Sequence, residues 1–311
     1  MSKGLFIHNP KAGKQDAELW PQLAEALGDV EVVSLDELGD AKNAPARAKA
    51  SDCQWIAVAG GDGTVEAVAA SLIGKNIPLG IITAGTYNNL ARSLNLPLEP
   101  LEACAVIKAG KTRPIDVGFA NGHPFFEALG SGLDAALYPL GEEIKSGRFH
   151  RWIDFFRKAY LYHPEKFTLT LDRPISQALV HGSFNENHHL MRRLARHQTS
   201  ELTLSALMLT VSNGPFFGMN FAVAPDQRMD DGLLTVTVFS RHSKAQLWWH
   251  FFSIAFGKRE YCPKSIALRV SGLKISSPKK MPVHLDGTPQ KNLWPLEIEC
   301  RRGALQVFHS A

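Results

Sequence analysis

Between Leu5 and Lys108 the chain repeats one pattern: a short apolar run, a turn of Gly, Asn or Pro, then apolar residues at helical spacing. Strands that alternate with helices in this way pair in parallel, because a parallel partner can be reached only through a crossover. Leu5–His8, Glu31–Leu35, Trp55–Ala59 and Leu79–Thr83 read as the strands. Gln15–Leu27, Ala41–Ala50, Val65–Ile73, Asn88–Leu94 and Pro100–Lys108 read as the helices between and after them. Pro21 requires a kink or a late start in the first of these helices. The expected product is a Rossmann-like, three-layer α/β domain.

After Arg113 the texture changes. Ile115–Phe119, Pro124–Leu129, Phe167–Leu171, Leu202–Val211, Leu233–Phe239, Ile266–Val270 and Leu273–Ser276 are β-like runs separated by turn residues. Helical composition is confined to Phe149–Tyr162 and Ala245–Phe256, so a β-rich sandwich is expected as a second domain. A length of 311 residues suits two domains better than one core. Apolar residues at 45% and charged residues at 21% exclude global disorder.

The sharpest local feature is Gly60-Gly61-Asp62-Gly63-Thr64, between a buried strand and a helix. Glycine lets a phosphate approach the backbone closely, and unpaired N–H groups at a helix N-terminus attract its oxygens. Asp62 would repel phosphate unless it holds a metal ion or takes a proton from an incoming hydroxyl; capping the helix is its plainer alternative. Gly85-Thr86-Tyr87-Asn88-Asn89 follows the next strand, and Asn9-Pro10-Lys11-Ala12-Gly13-Lys14 follows the first. In a parallel sheet all three loops lie on the edge where ligands bind. Other phosphate motifs fail: His8 and Gln15 break a Walker loop, and Glu66 breaks the dinucleotide fingerprint.

These motifs, in this order and spacing, resemble the diacylglycerol kinase catalytic-domain family, most of all its soluble bacterial lipid kinases. The resemblance continues through Ile115-Asp116-Val117-Gly118, Ala224-Pro225 with Asp230-Asp231-Gly232, and Leu285-Asp286-Gly287. It implies transfer of the γ-phosphoryl group of ATP to a lipid hydroxyl. The implied domains are 1–114, completed by the tail 287–311, and a lipid-substrate domain over 115–286. By the same resemblance Asn9, Lys14, Gly60, Gly61, Gly63, Thr64, Gly85, Thr86 and Asn88 line the nucleotide site. Asp62 and Asp286 carry the chemistry. Asp116 organises a catalytic Mg2+ through water, while Asp231 and the carbonyls of Arg228 and Leu233 hold a second, structural Mg2+. Two positions depart from the family: Asn89 stands where Asp is usual and Thr288 where Glu is usual. Neither can serve as a general base near neutral pH, which motivates the alternative of a catalytically impaired nucleotide or lipid binder. A NAD kinase-like enzyme acting on a soluble nucleotide is a weaker alternative, because the later motifs are absent from that family.

Placement follows from the same residues. No uninterrupted apolar run reaches the roughly 18 residues of a membrane span, and the stretch Leu5-Phe6-Ile7 is too short to be expected to act as a signal peptide. The four cysteines form no close pair, which fits a reducing compartment. A cytoplasmic protein with peripheral contact at the inner membrane face is expected. Lys+Arg exceed Asp+Glu by only 34 to 30, so nucleic acid is not an expected partner and membrane contact would need a local patch. Trp248, Trp249, Phe251, Phe252 and Phe256, with Lys258 and Arg259, form one candidate patch; Arg192, Arg193 and Arg196 form another. Core packing and a solvated surface, respectively, are their plainer readings.

Overall fold

A computed structural model describes residues 2–12, 18–148, 150–180, 192–218, 221–239 and 265–310. In chain order the first elements are β1 (Gly4–His8), α1 (Leu19–Leu27), β2 (Val30–Ser34), α2 (Leu35–Leu38), α3 (Ala44–Ala50), β3 (Trp55–Gly60), α4 (Asp62–Leu72), β4 (Leu79–Thr83), α5 (Asn89–Ser93) and α6 (Pro100–Ala109). Then come β5 (Thr112–Ala120), β6 (His123–Phe125), β7 (Ala128–Gly132), α7 (Leu133–Lys145), α8 (Arg151–Leu161), β8 (Glu165–Leu171) and α9 (Ile175–Ala178). The remainder is strands: β9 (Glu201–Ala206), β10 (Met208–Ser212), β11 (Phe216–Phe217), β12 (Phe221–Ala222), β13 (Leu234–Phe239), β14 (Ile266–Val270), β15 (Gly272–Ser276), β16 (Val283–Leu285), β17 (Thr288–Gln290) and β18 (Leu296–Phe308).

The chain divides into two compact units. The first comprises Met1–Val117, Met229–Asp231 and Arg301–Ala311; the second comprises Gly118–Arg228 and Gly232–Cys300. The first unit is mixed α/β. Its strands run in the order β2-β1-β3-β4-β18, all parallel, with β18 contributing its C-terminal part. Strand residues alternate between two covered faces. Phe6, Ala57 and Ala59 pack with Leu23 and Leu27 of α1 and with Ala103, Cys104 and Ile107 of α6. Their neighbours Leu5, Ile7, Ile56 and Val58 are equally buried on the opposite side, where α3 and α4 meet β1 and β3. Burial on both faces explains why these strands read as continuous apolar runs. Helix α1 makes the late start, with Pro21 in its first turn where a missing N–H costs nothing.

The second unit is an antiparallel β sandwich. One sheet has the order β14-β13-β10-β7-β16-β17; the other runs from the N-terminal part of β18 through β15 and β8 to β9. Their inner faces share one core, in which Leu129, Leu209, Val211, Val236 and Leu268 meet Phe167, Leu169, Leu273, Ile275 and Ile298. Helix α7 and strand β18 are the longest of several elements that lie where the sequence places none. Helix α7 contains Pro139, a helix breaker by rule, but Leu133, Leu137, Leu140 and Ile144 form its buried stripe. Strand β18 runs unbroken through Arg301-Arg302-Gly303. The expected helix Ala245–Phe256 lies outside the described residues.

Candidate functional site

The C-terminal ends of β1, β3 and β4 are level: His8 pairs with Ala59, and Gly60 with Thr83. The three turns that follow therefore start from one edge, and side chains tie them together. The Asn9 Nδ2 donates to Thr64 Oγ1 at 2.8 Å, while Asn9 Oδ1 accepts from the Lys11 N–H at 3.0 Å. The Asn88 side chain closes its own turn, accepting from the Gly85 N–H at 3.1 Å and donating to the Gly85 carbonyl at 3.0 Å. Asn88 sits at φ 53°, a left-handed conformation that Asn tolerates better than most residues. Gly85 is required for a different reason: a Cβ there would lie 2.5 Å from the Gly61 Cα. The two glycine turns touch backbone to backbone.

Asp62 is the bond between them. It is the first residue of α4, with Gly61 as the N-cap, so it does not cap the helix. Its Oδ1 accepts from the Asn89 N–H at 2.7 Å and its Oδ2 from the Asn88 N–H at 2.9 Å. Burial pushes the carboxyl above its ordinary value, against the opposing pull of these N–H donors. The substitution at Asn89 leaves this contact intact, because the backbone supplies the donor. Gly63 is exposed, and a Cβ there would meet nothing within 4 Å, so the first turn of α4 is open on that side. Thr86 is exposed at the adjoining turn. Lys14 and Gly13 lie outside the described residues.

Asp116 lies in the first unit but in a separate bonding group. It is buried, its Oδ1 accepts from the Gly303 N–H at 2.8 Å, and its own N–H donates to the Met229 carbonyl at 2.6 Å. Asp231 belongs to the same unit, where its carbonyl accepts from Arg302 at 3.5 Å. The carbonyls of Arg228 and Leu233, in the second unit, both accept from the Gln227 Nε2, at 2.5 and 2.7 Å. Among the described residues no group of three His, Cys, Asp or Glu side chains gathers as a ready metal site.

In the second unit Asp286 is held by three backbone donors. Its Oδ2 accepts from the Phe126 N–H at 2.7 Å, and its Oδ1 from the Glu127 and Ala128 N–H groups at 2.9 Å each. Burial pushes its carboxyl up to about 6, with the three N–H groups opposing. Next to it is a cluster that the sequence reading missed. His284, fully buried, stacks on Phe217 and approaches Asp134 Oδ2 at 2.9 Å through Nε2. The Gly287 N–H donates to His284 Nδ1 at 3.3 Å, so the ring proton belongs on Nε2. Gly287 has φ 79°, and a Cβ would fall 2.0 Å from the Tyr138 hydroxyl. Only the position of His284, two residues before Asp286, could have flagged it. Thr288 is exposed at the start of β17.

Of the two candidate patches, the residues Trp248, Trp249, Phe251, Phe252, Phe256, Lys258 and Arg259 lie outside those described. Arg192, Arg193 and Arg196 are exposed around Leu194, which enters the sandwich core. Among the described residues no helix is long and apolar enough to cross a membrane.

The comparisons with known proteins agree with this arrangement. The family model for the diacylglycerol kinase catalytic domain matches residues 3–120, and that for the YegS C-terminal NAD kinase beta sandwich-like domain matches residues 161–309. A curated diacylglycerol kinase of Staphylococcus carnosus (strain TM300) is 27% identical over 291 residues, covering 91% of this chain and 87% of that protein. One from Bacillus subtilis (strain 168) is 24% identical over 298 residues, covering 92% and 90%. The crystal structure of a diacylglycerol kinase from Bacillus anthracis str. Sterne superposes with a TM-score of 0.70 at 23% identity, covering 99% of this chain and 97% of that one, and so shares the fold. With consecutive family models matching residues 3–120 and 161–309, this chain is a kinase that carries a diacylglycerol kinase catalytic domain followed by a NAD kinase beta sandwich-like domain.

Proposed function

We propose that this chain transfers the γ-phosphoryl group of ATP to the hydroxyl of a membrane lipid alcohol. The observation that carries this reading is the joining of two glycine turns by Asp62 beside the open first turn of α4. The positive end of a helix dipole at such a turn suits phosphate oxygens. Asp62, held by two backbone donors, is positioned to accept the proton of an acceptor hydroxyl, and its raised pKa strengthens it as a base. Asn9 fixes Thr64 at the rim, and Gly60, Gly85, Thr86 and Asn88 complete the nucleotide-binding edge, with Lys14 as a further contact. Mg2+, when bound with ATP, neutralises phosphate charge, and the buried Asp116 is the carboxylate assigned to it. Asp286 positions the 126–128 backbone and has a pKa suited to proton transfer near neutral pH.

Contact with a bilayer is supported by α8. Trp152, Ile153, Tyr160 and Leu161 are all exposed on this one helix, Ile153 to 74%, with the exposed Arg157 among them. The test is incubation of the purified protein with labelled ATP, Mg2+ and vesicles containing a panel of lipid alcohols. Labelled lipid is expected; ATP binding without any labelled lipid would overturn the reading. That second outcome would favour a non-transferring nucleotide or lipid binder, the alternative motivated by Asn89 and Thr288.

A further inference from the structure

The segment Ala224–Thr235 runs from the end of β12 into the start of β13, and family resemblance places a structural Mg2+ on the carbonyls of Arg228 and Leu233 together with Asp231. Those two carbonyls are already bridged. Gln227 is 6% exposed, and its Nε2 lies 2.5 Å from the Arg228 oxygen and 2.7 Å from the Leu233 oxygen. A carboxamide nitrogen carries two hydrogens, and both have an acceptor here. The other end of the amide is fixed as well. Thr235, 8% exposed, donates its hydroxyl to Gln227 Oε1 at 2.6 Å. Turning the amide over would set Oε1 against two carbonyl oxygens, a repulsive arrangement, so the orientation is determined by the network.

Magnesium binds oxygen at about 2.0–2.1 Å and requires near-octahedral space. A cation shared by the Arg228 and Leu233 oxygens would have to occupy the bridging position now filled by Gln227 Nε2. The ion and the amide are therefore mutually exclusive. The residues present do not fit the ion, but they do its work: two N–H dipoles draw the carbonyls together as a cation would. We infer that the buried Gln227 carboxamide replaces the structural metal ion, so that the 224–235 turn of this protein is held without a divalent cation.

The test uses the full-length, nucleotide-free protein, so it is independent of catalysis and of Mg2+ carried by ATP. Mn2+ binding is followed through the free-ion electron paramagnetic resonance signal, and thermal unfolding is recorded in EDTA and in MgCl2. The wild type is expected to bind no equivalent of Mn2+ and to unfold at the same midpoint in both buffers. The Gln227→Ala variant is expected to unfold about 5 °C lower in EDTA, as its two carbonyls lose their donor. One equivalent of Mn2+ held by the wild type and released by Asp231→Asn would overturn the proposal. So would a Gln227→Ala protein that unfolds at the wild-type midpoint. If Gln227→Ala does not fold, the wild-type Mn2+ titration decides by itself.

Discussion

Asp62 and Asp286, one in each unit, are built alike and placed differently. Each is a carboxylate that gathers backbone N–H groups from a distant loop: residues 88 and 89 for Asp62, residues 126–128 for Asp286. Burial raises the pKa of both, that of Asp286 to about 6. Asp62 stands in the first turn of a helix beside an exposed glycine, where the chain is open to a ligand. Asp286 lies against a buried histidine, in a turn that a tyrosine hydroxyl closes. A loop-tying carboxylate is thus a common device in this protein; what separates the two is the exposure of the neighbouring backbone.

The largest effect should come from Asp62→Asn, which keeps the side chain's size but removes the proposed base and one of its two backbone acceptors: a loss of about 10³-fold in phosphoryl transfer with a folded protein. Turnover close to wild type in that variant would place the proton acceptor elsewhere and end the distinction drawn between the two residues. Next in size, Asp286→Ala strands three backbone donors and should lower the urea unfolding free energy by at least about 3 kcal/mol. An unchanged midpoint would mean that the 126–128 segment does not depend on the carboxylate.

A smaller effect is pH-dependent. The folded state binds the Asp286 proton more tightly than the unfolded chain, since the pKa is raised to about 6. This contribution to stability is complete below the unfolded value near 4 and is lost as pH rises through 6, at most about 3 kcal/mol. Asp286→Asn should flatten that fall in a series of denaturant titrations; equal slopes for the two proteins would mean Asp286 does not titrate in this window. Smallest of all, Thr288→Glu adds the carboxylate usual in the family at an exposed position. Stability should stay within about 0.5 kcal/mol, and the transfer rate should change by less than about tenfold. A much larger gain in rate would mark position 288, rather than 62, as the seat of the missing base.

The parallel sheet of the first unit was legible because each strand, turn and helix signals itself within a few residues. The motif 60–64 announces a tight strand-to-helix turn, and the structure has one. Helix α7 and strand β18 were not legible, for opposite reasons. Local rules forbid Pro139 inside a helix, yet the buried stripe from Leu133 to Ile144 outweighs one missing hydrogen bond. Strand β18 pairs with β15 before Arg301-Arg302-Gly303 and with β4 after it, and neither distant partner is named by a local pattern. The contact of His284 with Asp134 spans 150 residues of chain, and no local pattern encodes it.

The amino-acid sequence by itself determined the resemblance to a kinase family, the alternation of the first unit and the edge from which its polar turns rise, because glycine turns and hydrophobic periods are local. Tertiary structure alone decided what the side chains in those turns do. It made Asp62 a tie between loops rather than a helix cap, enclosed Asp286 among backbone donors, and set Gln227 across two carbonyls. Each of these depends on which backbone groups folding brings within hydrogen-bonding distance, and spacing along a chain does not specify that.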